Sequence, residues 1–97
     1  MTDLERFIRT LNEHREELEE EYSVSNIGMF GAYVRDDQTA GSDLDILVEF
    51  SRPISLLRFV NLKRRLSQLL DVNVDLVMKK ALKPRIGERI LSEVVYL

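Results

Sequence analysis

Residues 31–50, which read GAYVRDDQTAGSDLDILVEF, contain the features that decide the fold of this 97-residue chain. The stretch begins with a glycine at the end of a short apolar segment. It finishes in an alternating run in which Leu44, Ile46 and Val48 are apolar. Alternation with a period of two is typical of a strand with one buried face. The segment from Asp43 to Phe50 is therefore predicted to be a β-strand.

Helix and strand signals alternate on both sides of this strand. Apolar residues recur at helical spacing before Tyr22 and again between Ser55 and Leu70. Pro84 suits the first turn of a last helix. This order favours a layered α/β domain. The predicted core stripe of the second long helix is Leu56, Phe59, Leu62, Leu66 and Leu69. The predicted elements are helices at about 3–21, 32–38, 55–70 and 84–94, strands at 24–31, 43–50 and 72–78, and a loop at 39–42.

Composition limits the classes of protein to which the chain can belong. With 97 residues, 44% hydrophobic and 32% charged, we expect one globular domain that spans residues 1–97. A net charge of -3 argues against general nucleic-acid binding. The lack of cysteine excludes disulfides and thiolate metal sites. No apolar run has membrane-spanning length and no signal-peptide region is visible, so a cytoplasmic location is expected.

Three aspartates form the most informative pattern. Asp43 and Asp45 share one face of their strand, because side chains two residues apart point the same way. On the third predicted strand Asp75 lies opposite the apolar face. If the two strands are neighbours, the three carboxylates converge, and such charges repel unless a cation neutralises them. Mg²⁺ or Mn²⁺ suits these oxygen ligands, which predicts the protein half of a two-metal phosphoryl-transfer site. The alternative is ordinary solvated carboxylates, which are common on exposed strands.

Two features near the aspartates favour phosphate binding. Gly31 ends a strand and precedes a helix start, which lets phosphate oxygens approach backbone N–H groups. Arg35 lies about one turn into that helix and is predicted to reach a triphosphate oxygen. A basic cluster follows Asp75 and is read either as a solvated surface or as an electrostatic rim of the site. It consists of Lys79, Lys80, Lys83, Arg85 and Arg89.

At these residues the sequence resembles the minimal nucleotidyltransferases of the DNA polymerase β superfamily. That family's pattern is Gly-Ser, ten residues, then Asp-x-Asp and a later third carboxylate. Here the pattern is carried by residues 31–50 and by VNVDLVMK at 72–79, and the ending LKPRIGERILSEVVYL at 82–97 resembles the family's closing helix. The resemblance covers most of residues 24–97 and implies a mixed β-sheet of about three to four strands flanked by helices, an α+β arrangement.

The resemblance also implies an activity: transfer of a nucleoside monophosphate, AMP from ATP or another nucleoside triphosphate, with two Mg²⁺ ions. Asp43, Asp45 and Asp75 would be the catalytic, metal-binding residues, and Asp75 would help to deprotonate the incoming hydroxyl. The nucleotide-binding residues would be Gly31, Ala32, Arg35 and Ser42. Many small domains of this kind resemble antitoxins that pair with a HEPN-domain toxin, and some transfer AMP onto a tyrosine of that partner. A HEPN-domain partner, in a homo- or hetero-oligomer, is the corresponding expectation.

Two departures from the family pattern keep a second function open. The family serine is Ala32 here, so a hydroxyl that would bond a phosphate oxygen is missing, and Asp36 and Asp37 follow Arg35 where glycine is frequent. A hydrogen bond to a charged group contributes roughly 1.5–3 kcal/mol, so its loss slows transfer or weakens nucleotide binding without abolishing either. The alternative function is an antitoxin of weak or no activity that acts by forming a complex.

Overall fold

The computed structural model describes all residues, Met1–Leu97. Helices and strands alternate along the chain, as the sequence predicts. None of the helices combines the length and the apolar character that crossing a membrane requires. The elements, in chain order, are α1 (Asp3–Glu13), α2 (Arg15–Tyr22), β1 (Val24–Phe30), α3 (Ala32–Arg35), β2 (Leu44–Phe50), α4 (Leu56–Leu70), β3 (Val74–Met78), a 3₁₀ turn (Lys79–Ala81), α5 (Pro84–Glu93) and β4 (Val95–Tyr96).

The four strands form one mixed sheet in the order β3-β2-β1-β4. The central strand β1 pairs antiparallel with β2 and with β4. Strands β2 and β3 are parallel, and α4 supplies the crossover that parallel neighbours need. The predicted mixed sheet of three to four strands with flanking helices is therefore confirmed.

The core lies between one face of this sheet and helices α1, α2 and α4. Helix α4 begins where the Ser55 hydroxyl accepts a hydrogen bond from the Arg58 N–H, a typical N-cap. It ends at Asp71, which has a left-handed backbone with φ 53. Helices α2 and α4 are also joined by two hydrogen bonds from Arg65 to Glu17. The fully buried residues of this core include Phe7, Leu11, Leu18, Met29, Leu44, Ile46, Val48, Leu62, Leu66, Leu70 and Val74.

The first predicted helix is wrong in one respect, because it is two helices that meet at His14. The Thr10 hydroxyl donates to the Arg6 carbonyl, and the His14 ring lies 2.8 Å from the Thr10 carbonyl through Nδ1. Side chains that hydrogen-bond to carbonyls one turn earlier favour bending of a helix. Both helices still contribute to the core, since Leu11 of α1 and Leu18 of α2 are buried.

One core assignment and several predicted boundaries also need correction. Leu56 is 78% exposed and does not belong to the core. It lies six residues before Leu62, so its side chain points about 120° around the helix from that buried residue. The predicted helix 32–38 ends at Arg35, since Asp36 adopts a left-handed backbone with φ 60. Strand β3 begins at Val74 rather than at residue 72. The short strand β4 was not predicted as a separate element.

Candidate active site

The sheet register brings two of the three predicted carboxylates side by side. Asp45 and Asp75 are direct partners in the parallel pairing of β2 with β3. Asp43 lies two residues before Asp45 and is exposed. Its Oδ1 accepts a hydrogen bond of 2.9 Å from Nδ2 of Asn73. The sequence reasoning missed Asn73, although its spacing of two from Asp75 was visible.

The electrostatics of the three aspartates centre on Asp45. Burial raises the pKa of Asp45 to about 6, and the charge of Asp75, a hydrogen bond to the Asp75 side chain and the charge of Asp43 act in the same direction. The positive charge of Arg35 acts against them. Negative charge is therefore concentrated where Asp45 is partly desolvated, and a cation at this point would relieve the repulsion.

No group of three or more Asp, Glu, His or Cys side chains is arranged in this structure so as to hold a metal ion. The carboxylates of Asp43, Asp45 and Asp75 influence one another electrostatically but do not close on a single point. Their chemistry still fits the predicted ions, because oxygen-only ligands supplemented by water and phosphate suit Mg²⁺. The assignment of metal to these residues stays a prediction.

Gly31 is fixed by backbone geometry and by its contact with Asp45. Its φ of 83 and ψ of -155 fall in a region that essentially only glycine occupies. A Cβ atom at this position would lie 2.0 Å from Oδ2 of Asp45. No other residue fits here, and the backbone of Gly31 therefore approaches the carboxylate directly.

Helix α3 starts immediately after Gly31. The N–H groups of Val34 and Arg35 donate to the Gly31 carbonyl, whereas those of Ala32 and Tyr33 have no partner within the chain. Unpaired N–H groups at a helix start can receive an anion. The Tyr33 ring packs edge-to-face on Phe7 at 5.2 Å between centroids, so it belongs to the core.

Arg35 and Ser42 are both engaged within the chain. The Arg35 guanidinium forms ion pairs with Asp37 and with Glu93 at the end of α5. Ser42 Oγ accepts a hydrogen bond of 2.9 Å from the Thr39 N–H and so closes the loop before β2. Their predicted role in nucleotide binding stays a prediction.

An open cleft of about 260 Å³ joins these features. Gly31, Asp45 and Arg35 form its polar side, and α5 supplies the opposite wall. This wall was not predicted from the sequence, although its residues recur every three to four positions, as on one face of a helix. They are Ile86, Arg89, Ile90 and Glu93. Arg89 is the member of the predicted basic cluster that borders the cleft.

A second cavity of about 270 Å³ lies at the far ends of β2 and β3, beside Phe50 and Met78. It contains none of the three aspartates. The chemistry therefore favours the cleft at Asp45, even though the two volumes are comparable. Small-molecule sites are typically about 300–1,000 Å³, so the cleft is too small and open to enclose a nucleotide and an acceptor together.

Known proteins match this chain over most or all of its length. The family model of the nucleotidyltransferase domain matches residues 11–97. The chain is 46% identical over 97 residues to protein adenylyltransferase MntA of Thermococcus cleftensis, with 100% of this chain and 98% of the relative covered. A solved minimal nucleotidyltransferase superposes with a TM-score of 0.80 at 33% identity, covering 100% of this chain and 97% of that one.

A more distant solved structure shares the fold alone. It is the tri-AMPylated HEPN toxin of Shewanella oneidensis in complex with its MNT antitoxin. The match has a TM-score of 0.67 at 20% identity and covers 93% of this chain and 70% of the matched chain.

Proposed function

This chain belongs to the nucleotidyltransferase domain family, and from that premise we propose that it transfers AMP from ATP, with Mg²⁺, to a hydroxyl of a partner protein. The hydroxyl oxygen would form a bond to the α-phosphorus, the bond from that phosphorus to the β-phosphate oxygen would break, and pyrophosphate would leave. The partner is a HEPN-domain toxin, the acceptor is a tyrosine, and the chain acts as its antitoxin. The observation that carries the proposal is the direct register of Asp45 with Asp75 beside the bare backbone of Gly31.

Each residue of the site has a proposed task. Asp43 and Asp45 would hold Mg²⁺, and Asp75 would hold a second ion and accept the proton of the incoming hydroxyl. When bound, Mg²⁺ neutralises the charge that develops on the transferred phosphoryl group. The N–H groups of Ala32 and Tyr33 are positioned to bond phosphate oxygens, since neither has a partner within the chain. The Gly31 backbone keeps the space next to Asp45 open for these oxygens.

A second protein is the acceptor that best fits the shape of the site. The cleft is small and open, so it has few walls that could orient a free small molecule. In-line transfer requires an acceptor hydroxyl held near Asp75, which a docked protein can supply. The similarity to an MntA protein adenylyltransferase over the whole chain supports the same choice.

Ala32 favours one alternative, an antitoxin that binds its partner without transferring AMP. Its methyl group stands at the first position of α3, beside Gly31, where the family pattern has a serine hydroxyl. The missing hydrogen bond would lower nucleotide affinity or the transfer rate. The partner would then be neutralised by the complex itself.

The test is to mix the purified chain with Mg²⁺-ATP and with the product of any adjacent gene, a HEPN-domain protein being the one expected to react, and then to measure both intact masses. The partner should gain one or more AMP groups. Asp75→Asn should abolish the gain. Asp71→Asn is the matched control, because Asp71 lies at the C-terminus of α4 with φ 53, a conformation that asparagine tolerates.

Three results would contradict parts of the proposal. A stable complex without any mass gain would favour the binding-only antitoxin. Efficient labelling of a small molecule or an RNA end, without any complex, would refute the protein acceptor. Full transfer by Asp75→Asn would refute the role of Asp75.

A further inference from the structure

Arg35 bridges two helices through its two ion pairs. Its Nε lies 3.3 Å from Oδ2 of Asp37, and its Nη1 lies 2.6 Å from Oε1 of Glu93. Arg35 ends α3 and Glu93 ends α5, so the second ion pair connects the two sides of the cleft beside Asp45.

The position of Glu93 is electrostatically unusual. A carboxylate in the last turn of a helix opposes the helix dipole, which is negative at that end. Its side chain is nevertheless only 19% exposed, whereas that of Arg35 is 49% exposed. Arg35 compensates the Glu93 charge here, and the hydrogen bond to Glu93 is the main cause that raises the pKa of Arg35.

A second cation lies one helical turn before Glu93 on α5. Arg89 is one turn earlier on the same face of α5, borders the same cleft and takes part in none of the five ion pairs of the chain. Residues four apart on a helix can pair. Glu93 can therefore exchange Arg35 for Arg89 without moving its own helix.

We propose that Glu93 is a positioning residue that engages the Arg35 guanidinium while the cleft is empty, and that a bound triphosphate takes over Arg35 while Glu93 pairs with Arg89 instead. This inference rests on the proposed function, in that it requires a nucleoside triphosphate in the cleft. Phosphate oxygens compete for the same guanidinium fork, and a bidentate Arg–phosphate pair is a strong charge-assisted interaction. The Glu93–Arg35 pair lowers nucleotide affinity because it must open first.

The experiment compares the affinities of variants for Mg²⁺ with a non-hydrolysable ATP analogue, measured by calorimetry. Glu93→Gln should bind about three- to fivefold more tightly than the wild type, the upper part of the range that ion pairs at the protein surface commonly account for. Glu88→Gln is the matched control, because it removes the same charge from an exposed residue of α5 that forms no ion pair. Its affinity should change less than about twofold.

A double-mutant cycle separates competition for Arg35 from a general charge effect. Arg35→Gln should weaken binding, and Glu93→Gln should give no further gain in that background. Asp37→Asn is a second releasing variant, which should tighten binding less because its ion pair is longer. Each variant is checked for folding by thermal denaturation.

The outcomes separate this inference from the proposed function. If the wild type binds the analogue and Glu93→Gln binds equally or more weakly, Glu93 is a structural tie and the inference is wrong. An equal gain from Glu88→Gln, or a full gain in the Arg35→Gln background, would also refute it. If no variant binds the analogue, the proposed function itself fails, and this inference fails with it.

Discussion

Replacing Asp45 with Asn should stabilise the metal-free protein while it removes a carboxylate that we assign to the metal site. Burial, together with the charge and hydrogen bond of Asp75, raises the pKa of Asp45 from the ordinary 3.8 to about 6. A raised carboxyl pKa means that the folded state disfavours the charged form. Asparagine has nearly the same shape without the charge, and its amide can donate to the Asp75 carboxylate.

The size of the effect should depend on pH. Below pH 3.8 the Asp45 carboxyl is protonated in both the folded and the unfolded state, so it carries no penalty. As the pH rises from 3.8 to about 6, the unfolded state loses the proton first and the wild type loses stability relative to the variant. Full expression of this pKa change would be about 3 kcal/mol. Solvent screening of a partly buried group reduces it to about 1–2 kcal/mol.

Urea denaturation with a chelator present, at about pH 4 and about pH 8, measures this difference. The free energy of unfolding of Asp45→Asn should exceed that of the wild type by about 1–2 kcal/mol at the higher pH and by much less at the lower one. Asp43→Asn is the matched control and should gain less, because Asp43 is exposed. Addition of Mg²⁺ with the ATP analogue should stabilise the wild type but not Asp45→Asn. A variant as stable as the wild type, or less stable, at the higher pH would refute the electrostatic argument.

Three further predictions concern small residues, two at the site and one beside β4. Gly31→Ala should destabilise the fold by about 1–3 kcal/mol or more in denaturant titrations, because the backbone conformation is strained for any residue with a side chain. It should also displace Asp45, because the added Cβ meets the Asp45 carboxylate. A variant with wild-type stability and nucleotide binding would contradict this. Ala32→Ser should leave the melting temperature unchanged and, by restoring the hydroxyl of the family pattern, tighten nucleotide binding or accelerate transfer by about 10- to 100-fold. Unchanged affinity and rate would mean that this position does not face the phosphates. Gly28→Ala should lower stability by about 1–3 kcal/mol, since its Cβ would lie 2.8 Å from Cγ2 of Val94 and 3.0 Å from Cδ1 of Tyr96 on β4. An unchanged melting temperature would show that the chain around β4 adapts freely.

The fold was largely predictable because its buried segments have strong periodicity. Strand β2 alternates between apolar and polar residues except at Leu47, and α4 has a capping serine and a stripe that includes Leu62 and Leu66. The weak signals concern tertiary contacts. Strand β4 has two residues, too few for a pattern, and exists because Gly28 and Met29 of β1 accept it as an edge partner. The break at His14 depends on side-chain hydrogen bonds that no periodicity encodes.

For the candidate site, the sequence predicted which carboxylates share a strand face but not the tertiary contacts of their neighbours. Strand alternation placed Asp43 and Asp45 on one face, whereas the pairing with Asp75 depended on whether β2 and β3 are neighbours. The ion pair of Arg35 with Glu93 joins residues 58 positions apart. Neither residue carries a local signal for that contact, because it arises only when α5 lies across the cleft from α3. Contacts of this kind decide which predicted ligands are free to bind and which are already engaged.

The sheet register links the core to the site and makes each depend on the other. Met29 pairs with Ile46, and both are fully buried, while Phe30 pairs with Asp45 on the next step. A slip of one residue would turn every side chain of β2 to the opposite face, which would bury Asp45 in the apolar core and expose Ile46. The apolar pairs thus hold Asp45 next to Gly31 and Asp75, despite the repulsion there. A chain of this size can keep a cluster of like charges because its placement follows from the same register that forms the core.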